Sequence, residues 1–242
     1  RMQITLDGSK ATHDSRRHLI SGGATYDKIV SNIDCLMKSD WKGTLQIRVN
    51  VDPSNREEFA EVFRFIQKRY PEEFGKRVTV YPGFVHTEEP HPDTNCYFDS
   101  RQKGTFLAKL YEEQGIDALS IYPHMTLGGC TMTKRNAYVI GPDGELYKCW
   151  DDIGIPELVI GNVRSFTNWN MGLVAEAMIE GSYLEDKTCE NCFFFPVCDG
   201  GCPKMRLLNS KDHGERDVCS YFKEQIRTFL EMHYEAKYGK NK

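Results

Sequence analysis

"CENCFFFPVCDGGCP", Cys189–Pro203, places four cysteines within fourteen residues, separated by two, five and three positions. Alone, such a run suits a zinc knuckle, disulfides or an iron–sulfur site. The other cysteines narrow the choice. Seven of the nine lie between 130 and 219, in the order Cys130-x13-Gly144-x4-Cys149, Cys189-x2-Cys192-x5-Cys198-x3-Cys202, then Cys219. An odd total fits poorly with a complete disulfide framework. Tetrahedral zinc takes four ligands, and seven staggered thiols do not divide into two complete ribbons. Iron–sulfur clusters take up to four thiolates each and suit this number. Gly200, Gly201 and Pro203 let backbone amides approach the sulfurs.

The composition sets outer bounds. With 242 residues, 40% hydrophobic and 27% charged, the chain can bury one large core or two modest ones. A net charge of −4 leaves no basic footprint for nucleic acid or an anionic membrane. No apolar run approaches membrane-spanning length and no signal-peptide pattern opens the sequence, so the cytoplasm is the expected location. Thiols stay reduced there, which favours metal ligation over disulfides.

The first half alternates strand and helix patterns. "RMQITLDG", "GTLQIRVNVD" and "KRVTVYPGF" read as strands. Between the first two, Tyr26, Ile29, Val30, Ile33, Leu36 and Met37 form a helical stripe. Ser54 with Glu57 predicts a capping box for a helix burying Phe59, Val62, Phe63 and Ile66. Ser100 is the expected cap of a further helix ending at Gly115. This alternation implies βαβ crossovers and a parallel sheet, and three such units form part of a barrel, not a closed one. Past about residue 120 the character changes. "NAYVIGPDGELYKCW" reads as a β-hairpin, followed by a helix near 171–178, the cysteine run and a last helix carrying Phe222, Ile226, Phe229, Leu230 and His233. The expected domains are therefore 1–118 and 119–242.

The cysteine order resembles the seven-cysteine signature of SPASM domains, which lie at the C-terminus of radical S-adenosylmethionine (SAM) enzymes that modify peptides and proteins. "QITLDG", "HDSRR" and "GGATYDKIV" are similar to the fourth strand of a radical SAM barrel and the segment after it. The resemblance implies an α/β chain: the C-terminal part of a partial (β/α)6 barrel, then a small α+β SPASM domain with a hairpin and clusters. It implies two auxiliary 4Fe–4S clusters in crossed order. Cys130, Cys149 and Cys202 would hold the first, and Cys189, Cys192, Cys198 and Cys219 the second. Some relatives supply a fourth ligand to the first cluster from six positions before Cys130, where this sequence has His124. Histidine there is either an iron ligand or a neighbour of an open iron site.

Radical SAM chemistry also needs a C-x3-C-x2-C loop for a third 4Fe–4S cluster that binds SAM. This sequence holds none, so the expectation is a C-terminal portion of a longer enzyme, inactive alone. The main expected function is maturation of a ribosomal peptide by thioether formation, carbon–carbon crosslinking or a related oxidation, begun by a 5′-deoxyadenosyl radical. The auxiliary clusters would accept an electron or hold substrate. The alternative is an anaerobic sulfatase-maturating type, which oxidises cysteine or serine to an aldehyde using an aspartate directly after the second hairpin cysteine. Here Trp150 takes that place, and Asp151 and Asp152 follow. An alternative from another class is a non-catalytic interaction module stapled by zinc or a cluster. Expected partners are a peptide or protein substrate and a reductant such as flavodoxin or ferredoxin, with neither nucleic acid nor membrane.

Candidate site residues follow. Thr5 and Arg17 stand where the family contacts SAM; otherwise they are a strand hydroxyl and a surface arginine. Asp151 and Asp152 are candidate bases beside the first cluster, or turn residues and caps. Cys96, in the loop after the last barrel strand, is a candidate catalytic thiol, spare ligand or inert cysteine. Cys35 reads as a buried small hydrophobe. Trp150, Phe193, Phe194 and Phe195 read as shielding of the clusters.

Overall fold

The computed structural model describes residues 1–117, 129–165, 169–198, 200–223 and 225–239. The chain divides into two compact units. The first gathers Arg1–His86, Asp93–Ile121 and Arg227–Lys242, and the second Thr87–Pro92 and Tyr122–Ile226. The C-terminal helix, Ile226–Tyr238, thus groups with the first unit, although its place in the sequence assigned it to the second domain. Glu235 of that helix accepts a hydrogen bond from the Tyr111 hydroxyl at 3.3 Å. The short segment 87–92 likewise groups with the second unit.

In the first unit, β1 (Met2–Thr5), β2 (Leu45–Val51) and β3 (Val78–Phe84) form a parallel sheet in that order. Helices α1 (Lys10–Arg16) and α2 (Tyr26–Lys38) lie between β1 and β2 in sequence. Helix α3 (Glu58–Arg69) joins β2 to β3, and α4 (Ser100–Gln114) follows β3. Alternation along β2 decides its faces. Leu45, Ile47, Val49 and Val51 are fully buried, while Gln46, Arg48 and Asn50 between them are half-buried. Val78 and Val80 of β3 share the apolar side and join one core with Ile33, Phe59, Val62 and Ile66 of the helices. Each such side chain contributes roughly 2 kcal/mol on burial. The sheet's second face is polar.

Two caps differ from the sequence reading. Ser54 does not cap α3; its hydroxyl donates to Asp52 Oδ1 at 2.6 Å, and Glu57 occupies the N-cap without a side-chain bond. Buried Asn55 accepts from Asp52 N and donates to Asn50 O, so a local turn has claimed the capping residues. For α4 the cap is Asp99, one residue earlier than expected, in a capping box with Gln102.

The second unit is built on a smaller antiparallel sheet, β4 (Val139–Ile140), β5 (Glu145–Tyr147) and β6 (Gly161–Asn162). The hairpin between β4 and β5 turns at 141–144, as the sequence predicts. Helices α5 (Met171–Ile179), α6 (Lys187–Glu190) and α7 (Pro203–Asp212) complete it. Its apolar clusters are small: Leu146, Ile160 and Val174 in one, and Met132, Ala177 and Leu207 in another. No helix among the described residues is long and apolar enough to cross a membrane.

Candidate cysteine centre and polar sheet face

None of the nine cysteines is joined in a disulfide. Cys130, Cys149 and Cys202, implied as the first ligand set, each occupy the N-cap of a helical segment: Thr131–Thr133, Trp150–Asp152 and α7. Side chains tie these segments together. Buried Lys148 donates from Nζ to the carbonyls of Lys134 at 2.5 Å and Ala137 at 2.9 Å, joining β5 to the turn after Cys130. Met132 packs against Leu207 of α7. Lys204 Nζ stands 2.8 Å from Asp152 Oδ1 and 2.5 Å from Glu88 Oε1, ion pairs that join α7 to the turn after Cys149. Burial pushes the Cys149 thiol up to about 12. Coordination to a metal would reverse that preference, because a ligating thiol gives up its proton.

The second implied set begins in α6, which contains Cys189 and is capped by Asp186 through Thr188 N at 2.8 Å. Successive turns carry the chain onward. Cys192 N donates to Cys189 O at 3.0 Å, and Cys198 N to Phe194 O at 2.9 Å. Arg206 of α7 reaches into this region, with only 8% of its surface exposed. Its guanidinium pairs with Asp186, donates to Gly200 O at 2.8 Å, and lies 3.7 Å from Cys189 Sγ. Its Nε has no hydrogen-bond partner among the described residues. Gly201 has φ +71°, and a Cβ there would stand 1.8 Å from Val218 O, so this loop presses on the residue before Cys219. Burial raises the Cys219 thiol, and neighbouring Cys189 adds to the shift. Among the described residues no three His, Cys, Asp or Glu side chains converge closely enough to hold a metal ion. The segments that carry these cysteines are tied together by Lys148, Lys204 and Arg206. His124 lies outside the described residues.

The candidate acids separate. Asp152 is buried in its pair with Lys204, whereas Asp151 is exposed and its Oδ2 lies 3.8 Å from Cys149 Sγ, which donates to it. Cys96 is exposed, with its thiol 3.7 Å from Asp93 Oδ2. Cys35 is exposed, not buried as its helical stripe suggested, because it lies on the outer side of α2. Of the aromatics expected to shield the cysteines, Phe194 is buried, but Trp150 and Phe193 are 71% and 86% exposed.

At the end of β1, the words "TLDG" and "HDSRR" form one hydrogen-bonded network. Buried His13 accepts from Asp7 N through Nδ1 at 3.1 Å, and its Nε2 lies 3.1 Å from the Thr25 hydroxyl. Asp14 accepts from Thr25 N and Tyr26 N, both at 2.8 Å, and so caps α2 from a distance. Arg17 donates through Nε to Asp7 Oδ2 at 2.6 Å, while Asn50 N donates to Asp7 Oδ1 at 3.0 Å. Thr5 sits on the polar sheet face, in register with Arg48 of β2. Sequence reasoning passed over Arg48, although a charged residue inside an alternating strand signals a polar face. Its Nε is buried without a hydrogen-bond partner among the described residues, and it lies over Gly83, where a Cβ would stand 2.2 Å from that nitrogen.

No family model matches the chain. Two curated relatives align with it. It is 25% identical to the cysteine-type anaerobic sulfatase-maturating enzyme of Clostridium novyi (strain NT), over 94% of this chain and 63% of the relative. It is also 25% identical to the serine-type enzyme of Bacteroides thetaiotaomicron, over 86% of this chain and 56% of the relative. The chain thus spans about three-fifths of the length of these relatives. The solved structure of native anSMEcpe with bound AdoMet superposes with a TM-score of 0.64 at 18% identity, covering 97% of this chain and 66% of that one. The complex of native anSMEcpe with AdoMet and Cp18Cys peptide gives 0.65 at 18% identity, covering 97% and 67%. The fold is shared, and the chain is homologous to the anaerobic sulfatase-maturating enzymes, which are radical SAM/SPASM proteins.

Proposed function

We propose that this chain is the C-terminal part of a radical SAM maturase that oxidises a cysteine or serine side chain of a protein or peptide to an aldehyde. The observation that carries this reading is the alignment with the cysteine-type maturating enzyme over 94% of the chain. It favours sulfatase-type maturation over the ribosomal-peptide maturation that Trp150, in place of an aspartate after Cys149, first suggested. Bound SAM would supply a 5′-deoxyadenosyl radical, and the clusters would supply electron acceptors. The chain's own residues then have distinct tasks. Cys130, Cys149 and Cys202 hold the first auxiliary cluster, and Cys189, Cys192, Cys198 and Cys219 the second. A buried arginine beside Cys189, balanced by one carboxylate and with Nε unpaired, suits an anionic cluster better than neutral thiols. Asp151, whose Oδ2 accepts from Cys149 Sγ, would take a proton beside that cysteine, and Asp152 holds Lys204. Thr5, Arg17 and Arg48 offer donors to the polar groups of SAM and substrate. A flavodoxin or ferredoxin is the proposed reductant, and the cytoplasm the proposed location.

Crosslinking of a ribosomal peptide remains a second reading on one observation: Trp150, not an acid, directly follows Cys149. The test uses the full-length gene product, reconstituted anaerobically with iron, sulfide and SAM. Peptides carrying cysteine or serine at the reacting position are then probed with a hydrazide reagent. A labelled aldehyde supports oxidation, and an unlabelled crosslinked product supports the second reading. SAM cleavage with neither product on any peptide would overturn both.

A further inference from the structure

Helix α4 borders a groove that the proposed function does not use. Arg101, Thr105, Lys109 and Glu113 recur every fourth residue along the helix and so share one side. Together with Arg56 and Glu57, which precede α3, they wall a groove of about 290 Å³ in the first unit. That volume stands at the low end of the roughly 300–1,000 Å³ usual for small-molecule sites. The floor is apolar. Phe98 and Leu110 are buried core residues, and Phe106 packs against the same core. Phe98 and Phe106 stack with their centroids 5.9 Å apart, while Phe59 and Phe84 meet Phe106 edge-on. Such a floor suits a flat apolar body. The charges on the walls are not equivalent. Arg56 pairs with Glu57 at 3.3 Å, and Lys109 has Glu113 one turn away. The Arg101 guanidinium has no hydrogen-bond or ion-pair partner among the described residues. Asp99, the carboxylate nearest to it in sequence, is turned to the helix terminus, where it accepts from Gln102 N at 2.6 Å.

The geometry points to a binding site for a small organic anion, with its flat apolar body on Phe98 and Phe106 and its carboxylate on Arg101. A guanidinium presents a planar fork of donors that matches a carboxylate, and Arg101 is the wall cation without a carboxylate of its own. The ring cluster supplies the apolar contact, and the single anionic group supplies the orientation. The groove lies on the helix-covered, apolar side of the sheet, opposite the polar face that carries Thr5 and Arg48. It depends neither on the cysteines nor on the reaction proposed above.

The test is isothermal titration calorimetry of the full-length gene product with 2-naphthoate, and with 2-naphthylmethanol as the uncharged counterpart. Naphthoate is expected to bind saturably and more tightly than the alcohol. R101Q weakens naphthoate about tenfold, the loss of a charge-assisted contact, and leaves the alcohol unchanged. R101K keeps the charge without the planar fork, so it weakens naphthoate by less. T105W fills the groove from the middle of its helical wall and removes the binding of both compounds. Absence of saturable naphthoate binding overturns the inference, as does equal affinity for the acid and the alcohol. Undiminished naphthoate binding in R101Q overturns the contact with Arg101, and undiminished binding in T105W overturns the groove itself. Thermal melts accompany each variant. If R101Q melts below the unsubstituted protein, R101K decides: an affinity between those of the acid and the alcohol supports the contact, and an unchanged affinity overturns it.

Discussion

Lys204 Nζ lies 2.8 Å from Asp152 Oδ1, with the two side chains only 5% and 10% exposed. A pair this deeply buried is a poor source of net stability against an apolar replacement, but breaking it is costly, since one charge is left behind. Lys204→Met strands Asp152 and weakens the hold on the Cys149 turn; the expected cost is about 3 kcal/mol. Adding Asp152→Leu removes the stranded charge, so the double variant recovers part of that loss. Urea denaturation of the two single variants and the double variant measures the coupling. A Lys204→Met cost under about 1 kcal/mol would mean that the pair does not secure the turn.

His13 ties stability to pH. Burial is the main cause that lowers its pKa from the ordinary value near 6.5, since the imidazole is enclosed between Asp7 N and the Thr25 hydroxyl. Lowering means that the unfolded chain binds a proton more readily than the folded one. Stability is therefore complete above the unfolded-state value near 6.5, and is lost as pH falls from there towards the lower folded-state value. His13→Leu is expected to remove this dependence between pH 7 and 5 while costing about 2 kcal/mol at neutral pH, because Asp7 N–H loses its acceptor. Thermal melts of both chains across that range give the comparison. Equal slopes would show that another group carries the acid sensitivity.

How far the sequence could be read depended on the range of the contacts involved. The alternation of Leu45, Ile47, Val49 and Val51 with polar residues is a local pattern, and β2 follows it. The hairpin at 141–144 and the end of α4 at Gly115 are likewise local. Helix α1 escaped notice because "KATHDSR" has almost no apolar residue to set a period; it is held by Ser9 at its start and by the His13 contacts. Lys204 and Arg206 look in the sequence like an exposed basic first turn. Their burial depends on Glu88, Asp152 and Asp186, far from α7 in the chain, which no local pattern reveals. The cysteine spacing suggests a ligand set in the sequence because metal binding constrains residue type and interval together. The cations packed against those cysteines obey no such rule.

The loop bearing Cys202 offers the sharpest structural test. Gly201 combines φ +71° with a backbone oxygen, that of Val218, 1.8 Å from where a Cβ would sit. The left-handed conformation alone costs an alanine about 1–2 kcal/mol. The steric conflict is with backbone, which cannot swing aside as a flexible side chain would, so segments 200–202 and 218–219 must separate. These segments carry Cys202 and Cys219, implied ligands of different clusters, and Arg206 donates to Gly200 O on the same loop. Gly201→Ala is therefore expected to destabilise the chain by about 3 kcal/mol in total and to lower the iron retained per chain after anaerobic reconstitution. Gly75→Ala is the control, since its φ is +76° but no atom lies within 4 Å of its Cβ position. That variant carries the backbone cost alone and keeps its iron. Equal iron contents in the two variants would show that the approach of Gly201 to Val218 has no part in holding the cysteines in place.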